Sequence, residues 1–398
     1  MLREGILVRY RSLYLFHICY FSTLGFAAFI PKFYGEIGLL DGQIGLLTSL
    51  PTIVGLLAMP LMGALTDRIA LKRHVLVLCL GVMGVSCLLV EQCSNFLWML
   101  LPVTGYTVFS ASLLPVTTTI SIEYCRETGH VYGPIRLFGT VGYQLGAILV
   151  GLALARSLRG LYPMMGIMMF VSLAVTFMMP NIRGHQHSRR RIPFRKLFED
   201  RAVCRLFLII LFATIPTQFY TSFFAKHLGD LGMGNGIASV ITSFSVALEL
   251  PFLAMGDRLF KKMSVWNWLL VGMALNGVRW LGLAFSKSAV SILFFQLPTV
   301  SVLACFEFFP ALYLNRRIAP EMQGSAQTML TLTTFCAAKI IGSLLGGYVC
   351  QWVGIPVVFE FCGIATLIGC VALIPLIRRM NREEGLKAGI DESFTGAV

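Results

Sequence analysis

Gly63-Ala64-Leu65-Thr66-Asp67-Arg68-Ile69-Ala70-Leu71-Lys72-Arg73 is a short charged stretch between two long apolar runs. A tight turn carrying Arg68, Lys72 and Arg73 between two spanning helices should stay on the cytoplasmic side of a membrane. Asp67 stands at a helix end, where the positive N-terminus of a neighbouring helix favours a carboxylate. A degraded copy, Asp257-Arg258-Leu259-Phe260-Lys261-Lys262, follows another apolar run 190 residues later. A loop that recurs at about half the chain length predicts a duplicated bundle.

The 398 residues are 57% hydrophobic and only 13% charged, against about 25% charged in soluble domains. The apolar residues fall in blocks long enough to cross a hydrocarbon core of about 30 Å. Helices are expected near 11–35, 42–66, 74–92, 96–121, 134–155, 161–180, 203–226, 235–256, 265–286, 289–314, 325–350 and 355–377. The expected fold is an all-α membrane protein with twelve transmembrane helices in two pseudo-symmetric six-helix bundles. Residues 1–182 form the first bundle and 203–380 the second. A basic cytoplasmic linker, 183–202, joins them, and a polar, mobile tail, 381–398, follows. The first run carries His17 and lacks a small-residue cleavage site, so it reads as a retained helix and not a signal peptide.

A net charge of +13 would suit nucleic acid, but its distribution argues otherwise. With both ends inside, 25 of the 32 Lys and Arg fall on cytoplasmic segments and 5 on the opposite side. Arg279 and Lys339 lie within helices. Such a split fixes topology, with both termini cytoplasmic, and adds attraction to anionic lipid. The 11 cysteines are scattered through the apolar runs without metal spacing and read as packing residues. No nucleophile–base pair, metal cluster or phosphate loop appears, so neither an enzyme activity nor a cofactor is expected. The missing signal peptide and the lean loops suit a bacterial inner membrane, and a monomer is expected.

The opening loop resembles the one between the second and third helices of the Major Facilitator Superfamily, with Ala70 where the usual form has glycine. Tyr132-Gly133-Pro134-Ile135-Arg136 through Tyr143 resembles the start of helix five in the branch of lactose permease and phenylpropionate permease. Glu249-Leu250-Pro251, Asp257-Arg258 and Val278-Arg279-Trp280 follow the same branch in the second half. The resemblance covers nearly the whole chain. It implies that Arg136 binds substrate and Tyr143 stacks on it. Thr118 stands where the branch has a helix-four acid, and Thr299 or Glu307 near its helix-ten histidine. The proton carboxylate of lactose permease falls near Val302. An intact galactoside site is therefore not expected. The glycine–proline pattern of drug–proton antiporters is missing from helix five, which disfavours efflux.

Hydroxyl, amide and proline residues collect in helices one, four, seven and ten, for example Thr117-Thr118 and Thr217-Gln218. They serve either helix–helix hydrogen bonds or a shared watery cavity. Glycines 139, 142, 146 and 151 in helix five suit close backbone approach. Glu249, Arg279, Glu307 and Lys339 lie inside apolar runs, where a lipid-facing charge costs about 2.5–3.5 kcal/mol or more. Counted along the helices, the two acids lie about 10 Å from the cytoplasmic end and the two bases about 20 Å.

These features predict a secondary transporter. Glu249 or Glu307 would carry a coupled proton. Thr118, Arg136, Tyr143, Gln218, Arg279 and Lys339 would bind a small organic solute. Gly63, Asp67, Arg68, Lys72, Arg73, Asp257 and Arg258 would latch the cytoplasmic side. Aromatic carboxylate, sugar or oligosaccharide, and nucleoside remain open as substrates, with the buried bases favouring an anion. A static ion-pair network, proton-driven efflux and a non-transporting sensor are the competing readings.

Overall fold

The computed structural model describes residues 2–68, 72–93, 95–130, 132–179, 199–249 and 262–395. The regular structure among these residues is entirely helical. A lipid-embedded helix satisfies its own backbone groups where no water can. In chain order the elements are α1 (Leu2–Ala27), α2 (Ile30–Glu36), α3 (Asp41–Arg68), α4 (Lys72–Gln92), α5 (Phe96–Thr128), α6 (Tyr132–Ala153) and α7 (Leu161–Thr176). Then come α8 (Arg201–Asp230), α9 (Asn235–Ala247), α10 (Val265–Phe285), α11 (Ala289–Arg317), α12 (Ser325–Val353) and α13 (Ile355–Thr395).

Among the described residues nine helices are long and apolar enough to cross a membrane, and α1 with α2 makes a tenth span bent by 41°. The shorter apolar helices α7 and α9 fill the two remaining places in the expected order of twelve.

Three local features depart from the expected helices. The first span is broken between Ala27 and Ile30, where the Phe29 amide closes a tight turn on the Phe26 carbonyl at 3.0 Å. Pro31, which has no N–H and crowds the preceding turn, follows at once. Inside α11 and α12, residues Leu303–Phe308 and Leu332–Ala337 wind as π-helical turns, a rare geometry that often marks functional positions. Helix α13 was expected to end near 377, yet it continues to Thr395. An Arg379–Glu383 pair at 2.8 Å, one turn apart, supports that extension.

The chain gathers into two compact units. One comprises Met1–Arg189, Thr221–Ser243 and Ser343–Gln351; the other comprises Arg190–Tyr220, Phe244–Gly342 and Trp352–Val398. In the first, α6 lies directly on α1. A Cβ on Gly142 would collide with the Ile18 carbonyl, and one on Gly146 with the Ser22 carbonyl. Ser22 donates to the Gly142 carbonyl at 2.9 Å across this seam. Backbone contact of this kind holds helices together in lipid, which offers no hydrophobic drive. In the second unit α10 packs along α13, with Gly277 against Leu367 and Gly363 against Leu281. Trp266, Met273, Phe306 and Phe309 fill the core beside them.

Candidate functional site

Arg279, on α10, is only 1% exposed. Its Nη2 donates to Gln296 Oε1 at 2.6 Å, and Gln296 Nε2 donates to the Tyr220 hydroxyl at 2.9 Å. The guanidinium lies 4.4 Å from the Tyr220 ring centre and 4.6 Å from that of Trp280. Trp280 stacks on Phe359 at 6.1 Å. Amide and π-faces thus take the place of water around a charge that lipid would reject. The arginine and its pairing residue come from different helices, and so do the aromatic rings.

Glu249 lies just past α9 and is half-buried. Its charge reaches both Arg279 and Glu307. Glu307 sits in the π turn of α11 and is also half-buried. The two acids that the sequence places at one depth are therefore electrostatic neighbours, and a base lies within reach of one of them. Two carboxylates in a poorly hydrated site resist double ionisation, so the pair is suited to hold one proton.

Lys339 follows the π turn of α12 by two residues and is half-buried. Among the described residues it makes no hydrogen bond or ion pair; the titratable group whose charge it feels is the Cys336 thiol, one turn back. Gln218, buried on α8, donates its Nε2 to the Thr334 carbonyl inside that π turn at 2.9 Å. A widened turn leaves a carbonyl for an outside donor, so the Gln218 amide supports the backbone beside Lys339.

The first-half candidates sit in the other unit. Arg136 is exposed near the start of α6, with its guanidinium 4.8 Å from the centre of the Phe21 ring. Phe21 stacks on His17 at 5.8 Å and 10°. Thr118 and Tyr143 are half-buried on α5 and α6. His17 is fully buried; its Nδ1 meets the Leu13 carbonyl at 2.8 Å, and its Nε2 has no hydrogen-bond partner. The sequence reading used His17 only to argue against a signal peptide. Its position in the middle of α1 was the available signal.

Many hydroxyls expected around a watery cavity bond their own helix or a neighbour instead. Thr117 donates to the Leu113 carbonyl at 2.8 Å and Thr214 to the Ile210 carbonyl at 2.7 Å. Ser301 accepts from Asn276 at 2.7 Å. In the latch set, Arg73 is half-buried at the start of α4. Gly63, Asp67, Arg68 and Lys72 fall on helix ends whose side chains are not described. Asp257 and Arg258 lie outside the described residues, as does most of the linker.

A second charged cluster was missed by sequence. Within the first unit, Lys226 pairs with Asp41 at 2.9 Å and Asp230 at 3.3 Å. Lys32, 7% exposed, donates to the Met233 carbonyl at 3.1 Å. The stems interlock: a Cβ on Gly35 would meet the Lys226 chain, and one on Gly229 the Lys32 chain. Lys32, Lys226 and Asp230 line a cavity of about 520 Å³ that also includes Glu36, Arg156 and Asn235. It lies at the helix ends that the charge count places opposite the basic loops. The paired glycines were the only sequence signal, and they are 194 residues apart.

In the second unit, Asp200 precedes α8 and accepts from Arg317 Nε at 2.6 Å and Nη2 at 3.2 Å. Partial burial acts to raise its pKa, but the hydrogen bonds from Arg317 and the Ala202 amide win and hold it below the ordinary 3.8.

Comparison with known proteins now bears on this geometry. The family model described as "MFS_1 like family" matches residues 7–361. The maltose permease of Geobacillus stearothermophilus is 25% identical over 354 residues, covering 86% of this chain and 88% of that one. The probable 3-phenylpropionic acid transporter of Escherichia coli (strain K12) is 24% identical over 362 residues, covering 86% and 92%. Among solved structures, the nucleoside transporter NupG superposes with a TM-score of 0.79 at 17% identity, covering 92% of this chain and 98% of that one. That likeness shows the fold alone.

Proposed function

The chain belongs to the MFS_1 like family of membrane transporters, and from that premise we propose that it couples proton entry to the uptake of a small organic solute by alternating access. It is a multi-pass integral membrane protein that moves a small molecule, and it is not an enzyme. The two curated relatives favour a sugar or an aromatic carboxylate as the solute.

The observation that carries the proton assignment is the position of Glu249, whose charge reaches a second acid and a buried base in the same unit. Proton binding at Glu249 or Glu307 relieves the repulsion between them. Proton release leaves an anion for Arg279 to stabilise. A change of protonation therefore changes which arrangement of the surrounding helices is favoured, as coupling requires. Thr118, Arg136, Tyr143, Gln218, Arg279 and Lys339 contribute to the solute path. Two bundles, 1–182 and 203–380, rock about that path, with the Asp67 and Asp257 loops latching the cytoplasmic side. The protein acts as a monomer in a bacterial inner membrane, with both termini in the cytoplasm.

The test is external pH in lightly buffered, de-energised cells expressing the protein, with aromatic acids, sugars and nucleosides added in turn. One compound should alkalinise the medium. Glu249→Gln should lose that response and uphill uptake while keeping solute exchange. Solute entry without proton movement in cells holding folded protein would overturn the assignment. Acidification on solute addition would favour export.

A further inference from the structure

We infer that Lys339 is the anchor for a carboxylate on the transported solute, so that the substrate is an organic monoanion and not a neutral sugar or nucleoside. The inference rests on the transport reading above and narrows it.

Lys339 is the central residue of the span Ser325–Val353. It lies fourteen residues, or about 21 Å, from Val353 and farther from Pro320, where the helical backbone begins, too far for its side chain to snorkel to a headgroup. Three other cations on the described helices are engaged. Lys226 has Asp41 and Asp230, Lys32 has the Met233 carbonyl, and Arg279 has Gln296 and two rings. Lys339 has no such partner among the described residues, yet it is half-buried and keeps some accessible surface. A central ammonium without a counter-charge is costly in a membrane. A solute carboxylate that reaches it removes that cost and gains a charge-assisted hydrogen bond. A neutral solute leaves the ammonium uncompensated.

The surroundings set the number of charges. On the solute path, the Arg279 guanidinium is already engaged by Gln296 and two rings. The titratable group whose charge reaches Lys339 is the Cys336 thiol, and no second cation stands beside it among the described residues to take another carboxylate. One anionic group is therefore matched, not two. The π turn ending at Ala337 fixes where Lys339 projects, and Gln218 braces that turn from α8.

Cys336 supplies a reporter that does not depend on flux. It lies in the same π turn, is half-buried, and its thiol feels the Lys339 charge. The purified full-length protein is treated with N-ethylmaleimide, and alkylation at Cys336 is followed by mass spectrometry. The probes are acetate, benzoate, 3-phenylpropionate, 3-phenylpropanol, maltose and uridine. At least one carboxylate should slow alkylation, while its neutral alcohol, maltose and uridine should not. Lys339→Gln should raise the protecting concentration about ten- to a hundredfold, and Lys339→Arg should recover part of it, which a folding defect would not allow. Absence of protection by every carboxylate overturns the inference. Equal protection by the neutral probes, or protection unchanged in Lys339→Gln, also overturns it. Flux of the same probes into liposomes separates the two readings. Proton-coupled maltose flux insensitive to Lys339→Gln removes the anion and leaves transport standing. Carboxylate protection without any flux keeps the anion site and removes transport.

Discussion

Lys226 and Lys339 are both lysines on long apolar helices, and the protein surrounds them in opposite ways. Lys226 lies at a helix end with Asp41 at 2.9 Å and Asp230 at 3.3 Å, its stem against Gly35. Lys339 lies at mid-span, beside a π turn, with no ion pair or hydrogen bond among the described residues. A lysine that only had to hold helices together would be built like Lys226. An unpaired ammonium at mid-span stabilises nothing in the empty protein, so its retention points to a ligand. The contrast separates charges that hold the structure from charges that meet a solute.

The largest effect should come from removing the lone charge. Lys339→Leu should cut carboxylate uptake about ten- to a hundredfold while leaving thermal unfolding in detergent unchanged or at a higher temperature. Lys226→Leu should do the reverse to stability. It leaves Asp41 and Asp230 without their cation, at a cost of about 1–3 kcal/mol for so partly buried a pair. If both variants shift the unfolding midpoint downward alike, the distinction between the two lysines fails.

A smaller effect sharpens the same contrast. Double-mutant cycles between Lys226 and Asp41, read by thermal unfolding, should show a coupling of about 0.5–3 kcal/mol. A cycle pairing Lys339→Leu with Asp41→Ala should be additive within about 0.5 kcal/mol. Coupling in the second cycle would mean that Lys339 belongs to a structural network after all.

Much of the fold was legible because the apolar runs are continuous and interrupted only by charged turns. A close backbone approach to α6 was legible too, from the glycines at 142 and 146, but not that α1 makes it. The charges Glu249, Arg279, Glu307 and Lys339 were visible for the same reason, as each breaks an apolar run. Their partners were not. Arg279 meets Gln296 and Tyr220 from other helices, and no local pattern announces such a meeting. Lys226 was counted only among the charges opposite the basic loops, and 185 residues divide it from Asp41. The π turns left no trace in sequence, since one extra residue in a helix changes the face presented and not the composition. Hydroxyls misled in the other direction, because Thr117 and Thr214 bond their own backbone as readily as a cavity would take them.

The smallest predicted effect tests whether a paired charge near the membrane edge behaves as the Lys226 cluster does. Asp200 accepts two hydrogen bonds from Arg317, and its pKa in the folded protein lies below 3.8. A carboxylate whose folded pKa is depressed stabilises the protein above its unfolded pKa, and the contribution fades as pH falls through the folded value. Wild type should therefore exceed Asp200→Asn in thermal stability by a constant margin at neutral and mildly acidic pH. The margin should close below about pH 4. Because the Asp200 side chain is 38% exposed, solvent screening should keep the margin under about 1 kcal/mol. Lys339→Leu compared over the same acid range should show no such closing gap, for Lys339 has no carboxylate partner to protonate. A gap that closed for both would assign Lys339 a hidden acid and return it to the structural class.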